Sequence, residues 1–213
     1  MLKKEAEKIL SNIIKSEIRG SCWKFSSGFL FTRNGNHYFD CIPIILLKPQ
    51  KVLISLRYKW FNTDDLLWKI LGMPENSNKS LLFHSNAAFC AHSIEIYEFE
   101  SELPEITEDS LRYIIQKVIS EFVIRMKEIE HKISTPIDYC QYLEMWYLEH
   151  IKKYPGSKRS IELEKVLGLI LGNKLEKALE IIKKEINKNE SGGFNIKGIS
   201  AFELSKIYIE KII

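Results

Sequence analysis

The sequence lacks any long hydrophobic run. The apolar stretch in "IPIILLKP" is short and bounded by proline, whereas a membrane-spanning helix needs roughly 20 apolar residues; it reads as a buried strand, and no membrane partner is expected. The N-terminus "MLKKEAEKIL" mixes acids with bases around no apolar centre, so a signal peptide is not expected. Cysteine is scarce: Cys22, Cys41, Cys90 and Cys140 lie far apart with no C-x-x-C. That spacing excludes a disulfide framework or a zinc knuckle and leads us to expect reduced, mostly buried thiols and a cytoplasmic location. Glycines are too scattered to cradle a phosphate. The motifs G-x-x-x-x-G-K-[ST], G-x-G-x-x-G, H-E-x-x-H and G-x-S-x-G are all missing, which removes the best-marked nucleotide-binding and hydrolytic chemistries.

What is present is the material of a globular chain: 213 residues, 45% hydrophobic and 28% charged, enough for a sizeable core. Residues 2–18 carry Leu2, Ala6, Ile9, Leu10, Ile13 and Ile14 at helical spacing, ending at Gly20. Over 22–61 the period changes. "CWKFSS", "GFLFTR", "HYFDCIPIILL" and "KVLISLRYKWF" read as strands, with Asn34-Gly35 as a hairpin signal and "KPQK" as a second turn. "NTDDLLWKILGMP" reads as a short helix capped by Asn62 or Thr63, with Asp64 and Asp65 at its positive end and Gly72 and Pro74 as its stop. Its Leu67, Ile70 and Leu71 are expected to face the sheet. "SLLFHSNAAFCAHSIEIYEFE" reads as a return to strand, broken at "SNAA". Ile94 and Ile96 alternate inward but Phe99 breaks the period, so a bulge near Tyr97 is expected.

From 107 the pattern is helical. Thr107 caps a long helix bearing Leu111, Ile114, Ile115, Val118, Ile119, Phe122, Met126 and Ile129. Thr135, Pro136 and Asp138 start the next. Two helices joined by Gly172-Asn173 form a tight hairpin, and Ser200 caps a final helix. The expected fold is α+β: an N-terminal helix, an antiparallel meander of about five strands, then a mainly helical C-terminal half. The expected division is 1–104, a helix-flanked sheet, and 105–213, a helical part packed on the sheet as one body.

The charge is unevenly distributed. The net formal charge is +3, yet residues 1–81 carry +6, residues 82–149 carry −8 and residues 150–213 carry +5. The lysines form no dense stripe and no base-reading motif, which argues against nucleic acid as a partner. The acidic block centres on "SIEIYEFESELPEITED". Glu108 and Asp109 complement a helix start. Glu95, Glu98, Glu100, Glu102 and Glu105 have no such explanation. They are either a solvated strand edge or a surface for a basic protein, with the aromatics Tyr97 and Trp60 as anchors.

Other constellations point to chemistry only weakly. His84, Cys90 and His92, with His37, Asp40 and Cys41 across the sheet, contain metal-ligating residue types; strand residues with local hydrogen bonds explain them as well. Asp40, Glu95 and Lys51 or Lys59, with His37 or His92, could form a metal-dependent nuclease-like or other hydrolase site. Cys140 and His150 are about 15 Å apart along one helix, too far for a nucleophile–base pair. Tyr139, Tyr142 and Trp146 follow core spacing. A regulatory or scaffold role for the 160–188 hairpin is a third reading.

The first half, with its leading helix and "GFLFTRNGNHYFDCIPIILLKPQKVLISLRYKWFNTDDLLWKILG", resembles small α+β immunity proteins of bacterial polymorphic-toxin and contact-dependent growth inhibition systems. The resemblance lies in the order of the elements, carries no residue-level motif and transfers no functional residue. It implies a non-enzymatic, cofactor-free inhibitor that masks a toxin domain with a basic surface.

Overall fold

The computed structural model describes residues 2–213, which form two compact units interleaved along the chain. The first holds the chain up to Lys59, with Leu81–Ser85 and Ser93–His131; the second holds Trp60–Ser80, Asn86–His92 and Lys132–Ile213. The fold is the expected α+β class, with an N-terminal helix, an antiparallel sheet and a mainly helical C-terminal half.

In the first unit, α1 (Lys3–Glu17) buries Ala6, Leu10, Ile13 and Ile14, the stripe its spacing dictates. Gly20 follows at φ +80°, a conformation that costs glycine little. The sheet contains β1 (Lys24–Ser26), β2 (Phe29–Asn34), β3 (His37–Cys41), β4 (Ile44–Leu47), β5 (Gln50–Trp60) and β6 (Ile94–Glu102). Asn34 pairs with His37, so the hairpin loop is Gly35-Asn36, with Gly35 at φ +57°. "HYFDCIPIILL" is two strands, because Pro43 lacks the N–H that would continue one ladder. β5 is the central strand. β6 pairs β5 from Lys51 to Tyr58, β4 pairs β5 from Gln50 to Leu53, and β3 is also hydrogen-bonded directly to β5.

Against this sheet lies α4 (Glu108–Lys132), whose buried residues are Leu111, Ile114, Ile115, Val118, Phe122, Met126 and Ile129. Thr107 caps it, its hydroxyl accepting the Ser110 N–H at 3.1 Å. Phe122 meets both Trp23 and Tyr97 ring to ring, and Asn34 reaches Glu130 at 3.0 Å.

The second unit is helical. α2 (Asn62–Ile70), α5 (Pro136–Lys153), α6 (Glu162–Leu171), α7 (Leu175–Asn187) and α8 (Ala201–Glu210) enclose one core. Thr135 and Asp138 form a reciprocal capping box on α5, and Ser200 and Glu203 form another on α8. Gly168 lets α5 and α6 approach closely, since a Cβ there would stand 2.5 Å from Cys140 Sγ. The long loop after α7 carries a small hairpin, β7 (Asn195–Ile196) with β8 (Ile199–Ser200).

Three local expectations are corrected. α2 has no side-chain cap, because Thr63 turns back to donate to the Trp60 carbonyl at 2.6 Å. Leu67, Ile70 and Leu71, expected to pack on the sheet, instead join Leu163, Leu167 and Phe202 in the helical core of the second unit. Residues 81–92 are not strand. Phe83–Asn86 is a short helix, α3, and only Ile94–Glu102 enters the sheet.

Candidate functional site: an acidic sheet face

The acidic stretch owes its geometry to one irregularity. Tyr97 sits opposite Leu56 and Glu95 opposite Arg57, so Ile96 is an extra residue on β6. A one-residue bulge reverses the in–out alternation beyond it. Unbroken alternation would put Glu95 on the side of Tyr97 and Phe99. With the bulge, Ile94, Tyr97, Phe99 and Ser101 pair with Tyr58, Leu56, Ile54 and Val52 on the face that α4 covers. Glu95, Glu98, Glu100 and Glu102 pair with Arg57, Ser55, Leu53 and Lys51 on the other face. The expected bulge is therefore present, and it gathers four carboxylates into one row.

The row is not uniform. Glu98, Glu100 and Glu102 are exposed and Glu95 is half-buried. Glu100 pairs with the Lys51 ammonium. Glu95 and Glu98 each already have a partner within the protein. Past the strand, Leu103 N–H still bonds the Gln50 carbonyl at 2.8 Å, and Glu105 is exposed. Glu108 shares Arg112 with Glu17, at 2.9 and 2.7 Å, and these bonds raise the Arg112 pKa. Toward the end of the acidic stretch, Glu100 is therefore held by Lys51, while Glu102 and Glu105 are exposed.

The two anchor residues lie elsewhere. Tyr97 is on the α4 face, edge-on to Phe122 at 6.1 Å and beneath the Arg125 guanidinium; burial raises its pKa, with Glu121 adding to the effect. Trp60 is 3% exposed and stacks on Tyr139 in the second unit. Neither shares the glutamate face. Cross-strand register decides this, and single-residue spacing could not show it.

The residues of the hydrolase reading do not converge. Asp40 is 1% exposed and receives a two-pronged bond from Arg57, 3.0 and 2.9 Å. Burial raises its pKa despite the opposing pull of Arg57 and Lys59. Alternation along β3 sends His37 to the opposite face, where Nδ1 meets the Tyr58 hydroxyl at 3.2 Å and burial lowers the ring's pKa. Lys59, fully buried, donates to the His84 carbonyl at 2.7 Å. His84 belongs to the first unit; Cys90 and His92 belong to the second, where the His92 ring stacks on Phe194. Among the described residues no three His, Cys, Asp or Glu side chains are grouped to hold a metal ion. Cys140 Sγ donates to the Lys165 carbonyl, and burial pushes its thiol up to about 12, far from a reactive thiolate. Cys41 is fully buried and shifted upward too.

Sequence reasoning found the glutamates but missed Arg57, the cation beside Glu95 and bound to Asp40. Its signal was present: a lone arginine amid β-branched and apolar strand residues needs an acid partner. No helix is long and apolar enough to cross a membrane among the described residues. No protein-family model matches the chain, and no curated protein or solved structure shows significant similarity to it.

Proposed function

We propose that this protein is a non-enzymatic binding module that receives a basic surface of another protein on the acidic end of β6, as an immunity protein receives a toxin domain. The observation that carries the reading is the Ile96 bulge, which aligns the glutamates on one sheet face and leaves Glu100 and Glu102 exposed, with Glu105 just beyond. β6 has β5 as its strand partner, with no second one among the described residues, so the acidic row borders a sheet edge. A partner with lysines or arginines would be steered there by charge, and the effect falls with salt.

The reading is tested in two linked steps. The product of the neighbouring gene is expressed alone and together with this chain; growth arrest relieved by co-expression is the expected result. The association rate of the pair is then measured for wild type and for Glu100→Lys/Glu102→Lys/Glu105→Lys. The triple reversal is expected to slow association by about tenfold or more at low salt and to flatten its salt dependence. An unchanged rate would remove the acidic end from the interface. No arrest, or arrest without relief, would remove the immunity role.

A further inference from the structure

The second unit contains a cleft of about 340 Å³ whose lining residues all belong to that unit. It opens between the residues leading into α6 and the Glu190–Gly193 turn. Its apolar lining is Leu163 and Phe202, 3% and 1% exposed. Its cations are Lys158 and Arg159, and the Arg159 guanidinium is held 4.8 Å above the Trp146 ring. Gly192, at φ +70°, presents backbone only; a Cβ there would approach the Phe202 ring to 3.3 Å.

The informative group is Glu164. It lines the cleft and is 2% exposed. Both of its contacts use Oε1: the His92 N–H donates to it at 2.9 Å, and His92 Nδ1 lies 3.4 Å away. Oε2 accepts no hydrogen bond among the described residues. Oε2 is not among the buried atoms left without a partner, so it faces the water of the cleft, where a ligand N–H would replace that water. The lining also includes a second carboxylate, Glu190, on the turn; the buried carboxylate, the two cations and the apolar lining within one concavity suit a ligand with three parts.

We propose that this cleft binds a small zwitterion, an α-amino acid with an apolar side chain. Its ammonium donates to Glu164 Oε2, its carboxylate pairs with Lys158 and Arg159, and its side chain lies on Leu163 and Phe202. The volume is at the low end of small-molecule sites and suits a ligand of about ten heavy atoms. This site uses the other compact unit and none of the β6 glutamates, so it stands or fails independently of the binding-module reading.

Isothermal titration of the whole chain with L-phenylalanine tests it. Saturable binding is expected. Two ligand variants then probe each end: the methyl ester lacks the anion, and the N,N,N-trimethyl betaine lacks every N–H donor. Each is expected to bind at least about tenfold more weakly. Glu164→Gln, which keeps the acceptor for His92 but presents an amide to the ligand, should weaken L-phenylalanine by at least about tenfold, and Lys158→Glu, at an exposed position, should also weaken it. Absence of saturable heat with both L-phenylalanine and L-leucine at about 10 mM, or equal binding of the betaine, overturns the proposal. The ligand variants are read on the unmodified chain, so a folding defect in a mutant cannot mimic either outcome.

Discussion

Residues 81–84 and 89–92 flank the break at "SNAA" and were both expected to be strand, yet each is fixed by side chains in a different way. The first group is held through its carbonyls: the Tyr38 hydroxyl donates to Leu81 O at 2.9 Å and the Lys59 ammonium to His84 O at 2.7 Å. The second is held through its amides: Ala91 N–H donates to Asp64 Oδ1 at 2.7 Å and His92 N–H to Glu164 Oε1 at 2.9 Å. Buried backbone groups must find partners. Where a strand would supply them from a ladder, this protein supplies them from buried charged and phenolic side chains. Lys59, Asp64 and Glu164 are therefore interior hydrogen-bonding groups, although a count of charge along the sequence treats them as surface.

The largest effect should come from the carbonyl side. Lys59→Ala removes a fully buried side chain and leaves the His84 carbonyl without its donor. The lost packing and the orphaned acceptor together should cost about 3 kcal/mol in urea unfolding. Lys59→Met retains most of the stem and separates the two contributions, recovering the packing share but not the hydrogen bond. If Lys59→Met proved as stable as wild type, the ammonium would have no anchoring role and the comparison would break at its first half.

Legibility of the fold followed the same divide. Elements whose own residues satisfy their backbone were readable. The stripes of α1 and α4, the capping boxes at Thr135 and Ser200, the hairpin at Gly35 and the α6–α7 joint at Gly172-Asn173 all depend on short-range chemistry. Residues 81–92 were not readable, because their partners Tyr38, Lys59, Asp64 and Glu164 lie 25 to 72 positions away. The candidate site was half legible. The broken period at Phe99 announced the bulge, and the glutamates were plain. That Tyr97 faces α4 and Trp60 is buried depends on cross-strand and helix packing that no local window contains.

The amide side should be the weaker tether. Asp64→Ala removes the acceptor of one buried N–H and little volume, which should cost about 1–3 kcal/mol. The same variant should speed hydrogen exchange at Ala91, the amide that loses its acceptor. Unaltered exchange there would mean that the loop holds its position without the carboxylate. The carbonyl and amide tethers would then no longer be equivalent devices.

The smallest effect is a pH dependence, and its sign is unusual for a carboxylate in an ion pair. Asp40 is paired with Arg57, which alone would lower its pKa, but burial outweighs the pairing and raises it. The folded state therefore holds the Asp40 proton to a higher pH than the unfolded chain does. Asp40 contributes its full stability below the unfolded pKa, about 3.9, and loses it as pH rises through the folded value. Linkage limits one proton to a slope of about 1.4 kcal/mol per pH unit. The exposed caps act in the opposite sense: backbone and hydroxyl donors lower the pKa of Asp138 and of Glu203, so their stabilisation is lost as pH falls. Subtracting Asp40→Asn from wild type cancels the caps, which both proteins share. The difference in unfolding free energy should move against wild type as pH rises from about 3.9. A difference that moved in favour of wild type would show that Arg57 governs Asp40, and that this buried charge behaves as an ordinary ion pair.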